Sequence, residues 1–397
     1  MIEIKDKSQC TGCTACANVC THRFITMCFD DEGHSYPLVD TANCVNCGLC
    51  EKVCPMLHQD ELPKDYDIIF ITNPTYLHYD LDQLSVYAVY NKDEVIRNSS
   101  TSGGIFTLLA DYVIDKGGIV YAARFDEYYH IYHTSVECKE ELQAFRGSKY
   151  AQSDLSDVFS QIKLQLRNER YVLFVGTPCQ VAGLKSFLIK EYDKLYTCDF
   201  ICMCISSPKI WEEYLSEYWD KNTIKRIVFK DKRIGWHSWR MLIEDDKGEH
   251  FYRGIENPFF CSYLQHITNR PSCFSCPFRH IRRVSDITIA DCWGIDKVNK
   301  EFDDDKGCTT MILQSQKGVE VFNSIKEKLV ISSYNIGSVI QYNPYIVKPI
   351  EKAPECDIFY QTYRVLGIRA AFEEIKRLNH PSLIKKIIKK MKGVFEV

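Results

Sequence analysis

Eight cysteines near the start of the chain carry its most explicit chemistry. Cys10, Cys13, Cys16 and Cys20 are separated by two, two and three residues. Cys44, Cys47, Cys50 and Cys54 repeat that spacing, each 34 positions after its counterpart. A constant offset marks an internal duplication. Three thiolates at this spacing wrap one corner of an iron–sulfur cubane, and the fourth begins a helix that turns away. Small residues stand between them (Thr11, Gly12, Thr14, Ala15, Asn46, Gly48), so backbone N–H groups can approach the sulfurs and tune their potential. Zinc sites pair two CxxC units and have no need of a triple run. The spacing predicts two [4Fe–4S] clusters. Cys28 is the ninth cysteine of this stretch, has no place in the pattern, and is read as a packed apolar thiol.

The arrangement matches the bacterial two-cluster ferredoxin pattern, in which the fourth cysteine of each run ligates the other cluster. One cluster then takes Cys10, Cys13, Cys16 and Cys54, and the other Cys44, Cys47, Cys50 and Cys20. Pro55 follows Cys54 whereas Thr21 follows Cys20, a difference confined to the exit turn.

More thiols lie downstream. Gly176-Thr177-Pro178-Cys179-Gln180 follows an apolar run and puts Cys179 at a helix start, where a thiolate is stabilised. Cys202 and Cys204 close the next strand, and Cys273 and Cys276 form a CxxC, a common metal or redox pair. Cys179, Cys202, Cys273 and Cys276 suffice for a third cluster. Separate buried thiols plus one structural CxxC is the other reading, and the residues alone leave both open. Ser99-Ser100-Thr101-Ser102-Gly103-Gly104 precedes an apolar helix. Its free N–H groups and the positive dipole end suit an anion, although an ordinary N-cap uses the same residue types.

Positioning these groups requires alternating strands and helices. Strands are expected at 68–72, 85–90, 119–123, 171–175, 195–201, 286–290 and 311–314. Helices are expected at 103–116, near 154–167, at 178–190 and at 208–219, with a turn at Gly117-Gly118 and a hairpin-like stretch over 224–252. The fold class is α+β: a two-cluster domain (1–57), a linker and lead-in (58–84), a mixed-sheet α/β core (85–345) and a helical tail (346–397).

Composition excludes several classes. The 397 residues are 45% apolar and 26% charged, as in folded globular proteins. A net charge of −4 and scattered aromatics offer nothing to nucleic acid. The acidic run Asp303-Asp304-Asp305 reads as a solvated loop. Twenty cysteines behind a charged start suit reduced thiols in a cytosol better than a secreted disulfide scaffold. In Ser382–Val397 apolar residues at helical spacing oppose five lysines. Such a helix either docks on its own core or touches an anionic membrane peripherally.

The core stretches identify a resemblance. SSTSGGIFTLLA (99–110), GSKYAQS (147–153), GTPCQVAGLK (176–185), DFICMCISSPKIW (199–211), FKDKRIGW (229–236), RPSCFSCPF (270–278) and SDITIADCWG (285–294) are similar, in order, to the beta-subunit family of coenzyme F420 hydrogenases and dehydrogenases, in its bacterial form with an N-terminal ferredoxin domain. The resemblance implies FAD, a third [4Fe–4S] cluster and electron exchange between one-electron carriers and a two-electron acceptor. It implies a flavin site at Ser100, Ser102, Gly103, Gly104 and Thr177, with Lys149 as a cation for the flavin or its pyrophosphate. The chain departs from the family at Met203-Cys204, where a His-Gly pair is usual, and at Ala290 and Cys292, where Gly and Phe are usual. Cys204 therefore competes with Cys202 as a ligand, and the family name does not give the substrate. The leading expectation is a flavin-dependent iron–sulfur oxidoreductase linking a ferredoxin-like carrier to a small organic acceptor. The alternatives are an electron-transfer subunit docked on a catalytic partner and a core that has lost its flavin. No catalytic residue is assigned; His237 and Tyr150 are candidate proton donors.

Overall fold

In the strand Val172–Val175, Val172 and Phe174 pack to one side while Leu173 and Val175 pack to the other. Ile119 and Tyr121 against Val120 and Ala122 repeat the pattern one strand away. Strands apolar on both faces need cover on both. The computed structural model, which describes residues 1–59 and 84–379, supplies it with an eight-stranded mixed sheet between two helical layers.

The N-terminal stretch holds α1 (Ala15–Val19), the antiparallel pair β1 (Ile25–Phe29) and β2 (Ser35–Val39), and α2 (Leu49–Lys52). The core begins with β3 (Ser85–Asn91), α3 (Glu94–Asn98), α4 (Ile105–Ile114), β4 (Ile119–Phe125) and β5 (Ile131–Val136). It continues through α5 (Val158–Arg167), β6 (Val172–Val175), α6 (Pro178–Leu188), β7 (Leu195–Phe200) and α7 (Pro208–Tyr218). A separate antiparallel sheet of β8 (Arg226–Asp231), β9 (Arg240–Asp245) and β10 (Gly248–Tyr252) follows. The remaining elements are α8 (Pro258–Leu264), β11 (Ile287–Asp291), α9 (Ile295–Val298), β12 (Thr309–Leu313), α10 (Gln316–Ile325), β13 (Leu329–Ser333), α11 (Ile336–Tyr342) and α12 (Glu355–Asn379), which kinks at Gly367.

The large sheet runs β13-β3-β12-β11-β7-β6-β4-β5. Its central strands β11, β7, β6 and β4 are parallel, and both flanks are antiparallel. One face is covered by α4 and α10. The other is covered by α5, α6 and the N-terminal stretch, whose Ile2, Ala15, Val19 and Val53 join Phe159, Val181 and Leu184 in one apolar cluster. Gly183 lets α6 approach that stretch: a Cβ there would stand 2.8 Å from the Cβ and 2.9 Å from the Sγ of Cys13.

Edge strands β5 and β13 were not expected from the sequence, nor were α3, α8, α10 and α11. The expected strand at 68–72 and the amphipathic segment 382–397 lie outside the described residues. Two local expectations are corrected. Cys28 is exposed on β1 and not packed. The acidic run is not merely solvated: Asp304 takes the Arg97 guanidinium at 2.5 and 2.8 Å, and Asp303 and Asp305 hold His237. Among the described residues no helix is long and apolar enough to cross a membrane.

Candidate functional site

The duplicated loops share a backbone as well as a spacing. Gly12 and Asn46 (φ 68° and 51°) and Thr14 and Gly48 (φ 64° and 74°) occupy the left-handed region at matching positions. Backbone N–H groups reach the sulfurs, Gly12 N of the first turn donating to Cys10 Sγ at 3.4 Å and Ile2 N, from the chain start, to Cys50 Sγ at 3.2 Å. Cys20, Cys44, Cys47 and Cys50 line one bowl built wholly from residues 1–50. Its interior is about 30 Å³, or about 420 Å³ counted out to the mouth. The other four gather beside it: burial first, then the proximity of Cys54, Cys10 and Cys179, pushes the Cys13 thiol up to about 12. The structure thus groups Cys20 with the second run and Cys54 with the first.

A second bowl lies in the core, lined by Cys179, Cys202, Cys273 and Cys276. Its interior is also about 30 Å³, or about 440 Å³ to the mouth. Thr177 caps α6, its hydroxyl accepting from Gln180 N and lying 3.1 Å from Cys179 Sγ. Cys202 follows β7, Cys273 lies within a 3-10 turn over Pro271–Ser275, and Cys276 caps its C-terminal end. Cys204 is not in the bowl; its Sγ accepts from Asn269 Nδ2 at 2.9 Å in the neighbouring core. Burial pushes Cys179 up to about 11 and Cys273 up to about 12. Four thiolates on one zinc ion would stand about 3.8 Å apart. Among the described residues no three His, Cys, Asp or Glu side chains are placed to hold a single metal ion. A cubane needs a wider bowl, and the two bowls match in size.

Charge supports the same fit. Arg270, Arg279 and Arg283 are all buried along the core bowl. Arg279 spends its Nη groups on the carbonyls of Tyr345, Lys348 and Met203, and its Nε has no partner among the described residues. Among the described residues only Arg283, of these three, faces a carboxylate, Asp199 at 3.4 Å. A bowl with more buried cations than anions suits a negatively charged occupant.

The sites form a line. Cys54, from the first N-terminal set, packs against the same small apolar cluster of Met56, Ala182 and Phe278 as Cys179 and Cys276 do. Thr11 lines the core bowl. That bowl in turn shares Thr177, Cys202 and Ile205 with a large cavity. The cavity has an interior of about 590 Å³, within the range of ligand sites. It opens beyond the carboxyl ends of β4, β6, β7 and β11, where parallel α/β sheets bind ligands.

One end of the cavity is cationic. Gly104 (φ 79°) caps α4, and Arg146 and Lys149 stand across from it. Among the described residues Lys149 Nζ donates only to the carbonyls of Phe145, Arg146 and Gly147, at 3.0–3.4 Å. Burial, reinforced by the charge of Arg124, pushes it down to about 7. Ser100, Ser102, Gly104, Lys149 and Thr177 line the cavity, whereas Gly103 lies behind the wall. Gly103 N donates to Thr309 Oγ1, and a Cβ on Gly103 would sit 2.6 Å from the Val89 carbonyl. The serine hydroxyls build the loop, Ser100 bonding Ile96 O and Ser102 bonding Cys308 O.

The opposite end is aromatic. Lys230 Nζ sits between the Trp239 and Trp293 rings, 5.3 and 4.9 Å from their centroids, and pairs with Asp291 at 2.5 Å. Tyr150 shares this wall, whereas His237 is outside it, paired with Asp303. Sequence reasoning missed Lys230, Asp291 and Arg146 as site residues; single charged side chains in unremarkable spacing carry no signal without the sheet that gathers them.

Three family models match the chain. The model described as 4Fe-4S dicluster domain covers residues 9–57. Those described as coenzyme F420 hydrogenase/dehydrogenase, beta subunit N-term and C terminus cover 86–160 and 169–338. The coenzyme F420-dependent sulfite reductase of Methanocaldococcus jannaschii is 28% identical over 191 residues, 48% of this chain. The match spans 27% of that relative's length. A chain of the F420-reducing [NiFe] hydrogenase complex from Methanosarcina barkeri aligns with a TM-score of 0.44 at 15% identity, covering 74% of this chain and 91% of its own.

Proposed function

The chain belongs to the coenzyme F420 hydrogenase/dehydrogenase beta-subunit family and carries a 4Fe-4S dicluster domain, and on that premise we propose that it is a three-cluster, FAD-dependent oxidoreductase exchanging electrons between a ferredoxin-like carrier and a small organic acceptor. Cys20, Cys44, Cys47 and Cys50 would hold the outermost cluster, Cys10, Cys13, Cys16 and Cys54 the next, and Cys179, Cys202, Cys273 and Cys276 the innermost. When bound, such clusters carry electrons singly and a flavin pairs them. The protein's own work is to bind and orient. The N-terminus of α4 with Arg146 and Lys149 would hold the flavin diphosphate. The aromatic end around Trp239 and Trp293 would receive the acceptor, with Lys230 fixed in place by Asp291. Burial keeps the proton on Tyr150 Oη there.

The observation that carries this reading is the shared wall: the core bowl touches the first cysteine set on one side and the cavity on the other. Anaerobic purification followed by iron, sulfide and flavin analysis tests it. About twelve irons and one flavin per chain are expected for three cubanes. About eight irons without flavin would overturn both the core cluster and the flavin site. A second reading, an electron-transfer subunit without its own substrate, draws on the match to about a quarter of a longer reductase. It predicts cluster and flavin reduction but no turnover in an acceptor screen with the isolated chain.

A further inference from the structure

We propose that Arg270 is the positioning residue of the junction between the N-terminal clusters and the core, clamping the Cys10–Cys13 loop onto the Cys273–Cys276 turn and supplying a buried positive charge common to both cysteine sets. The proposal rests on reading those sets as cluster sites.

Arg270 is 0% exposed. Its three nitrogen donors reach three segments: Nε to Cys10 O at 2.8 Å, Nη1 to Gln152 Oε1 at 2.8 Å and Nη2 to Ser35 O at 2.9 Å. The guanidinium lies 4.4 Å from the centre of the Tyr36 ring. Gln152 completes the clamp, its Nε2 donating to Thr11 O and Gly12 O at 3.1 and 3.3 Å. The loop is shaped around this fork. A Cβ on Gly12 would stand 2.5 Å from Gln152 Nε2 and 3.0 Å from Arg270 Nη1. On its other side Arg270 lines the core bowl, three positions before Cys273.

Among the described residues every acceptor of this guanidinium is neutral. A buried charge without a counter-charge is expensive, and one partner at hand would be an anionic cluster in either neighbouring site. A planar fork meeting three divergent acceptors is a job for arginine; lysine would keep the charge and lose the fixed geometry. The two contributions, charge and geometry, are therefore separable by substitution.

The experiment uses the full chain, purified anaerobically, as wild type, R270M and R270K. Iron is counted, and dithionite-reduced samples are followed by electron paramagnetic resonance through a redox titration. With iron retained, R270M should shift the core cluster to a more negative midpoint, because reduction adds negative charge where a cation has been lost. It should also weaken the spin–spin broadening between neighbouring reduced clusters. R270K should restore the midpoint and not the broadening. A purely structural residue would leave the midpoint unmoved once iron is intact. Wild-type midpoint and wild-type broadening in iron-replete R270M overturn the proposal. If R270M loses its iron, R270K and Q152L decide, and unchanged broadening in both overturns it. If the wild type itself holds only about eight irons, the three-cluster reading fails first, which the iron count alone reveals.

Discussion

Replacing Lys149 with methionine should stabilise the flavin-free protein and weaken its grip on a diphosphate, two effects with one cause. Burial, with Arg124 adding to it, takes the Lys149 ammonium from an ordinary 10.5 to about 7. At about 1.4 kcal/mol per unit that gap is worth roughly 5 kcal/mol, and water in the open cavity reduces it to about 2 kcal/mol. The sign follows from proton counting. Unfolded Lys149 titrates near 10.5 and folded Lys149 near 7, so between those values the unfolded chain binds the extra proton and stability rises with pH. Below pH 7 both states are protonated and the folded state bears the whole penalty. K149M should therefore gain about 2 kcal/mol at pH 6 and progressively less towards pH 10. Urea denaturation of flavin-free wild type and variant at pH 6 and 9.5 measures this. The lost charge-assisted contact is worth about 1.5–3 kcal/mol, so FAD should bind roughly 10- to 150-fold more weakly in a fluorescence titration. A variant less stable than wild type at pH 6, or one that binds FAD equally well, would refute the reasoning.

Gly183→Ala places a Cβ 2.8 Å from that of Cys13; overpacking at about 1–3 kcal/mol outweighs the helical gain of up to about 1 kcal/mol, leaving a net loss of about 1–2 kcal/mol in chemical denaturation. Any net stabilisation would contradict the close approach of α6 to the N-terminal loop. Cys202→Ser should lower iron from about twelve to about eight per chain while Cys204→Ser leaves it unchanged. The reverse result would move the ligand to the thiol now bonded to Asn269.

Much of the site was legible because cluster ligation is written in local spacing. Eight cysteines in two runs fix their own loops, and the left-handed positions Gly12, Thr14, Asn46 and Gly48 fall where small or turn-forming residues stand. The parallel strands β6 and β7 were legible from short apolar runs. Strands β5 and β13 were not, because edge strands bury less and their alternation is diluted by polar residues such as His133 and Ser333. The core cysteines could be assembled as a set from the sequence but not told from separate buried thiols, and resemblance tipped that balance, since Cys179, Cys202 and Cys273 come from three separate parts of the chain. Cys28 misled because a lone thiol gives no hint of which strand face it occupies. Asp303–Asp305 misled because its partners, Arg97 and His237, are distant in sequence. The arginines around the core bowl show the same limit: sequence lists their charges, and only the fold reveals that two of the three have no carboxylate partner among the described residues.

That imbalance says how the core is stabilised. Arg270, Arg279 and Arg283 surround the bowl, and Asp199, itself buried and raised by that burial, faces only Arg283. Carbonyls satisfy the donors of Arg270 and most of Arg279 without cancelling their charge. A sheet with apolar faces does not need such groups to fold, and unpaired they oppose folding. They become favourable when an anionic, thiolate-bound group occupies the bowl, so loading of the core should be linked to its stability. Iron removal by chelator under reducing conditions should therefore lower the denaturation midpoint of β6, β7 and the packed α6. The N-terminal stretch should also loosen, because Arg270 joins it to the same bowl. Hydrogen exchange of loaded and iron-free protein reads both regions separately. Protection that falls only in residues 1–59 would show that the N-terminal clusters alone are coupled to folding, and that the buried arginines are neutralised by something other than a cluster.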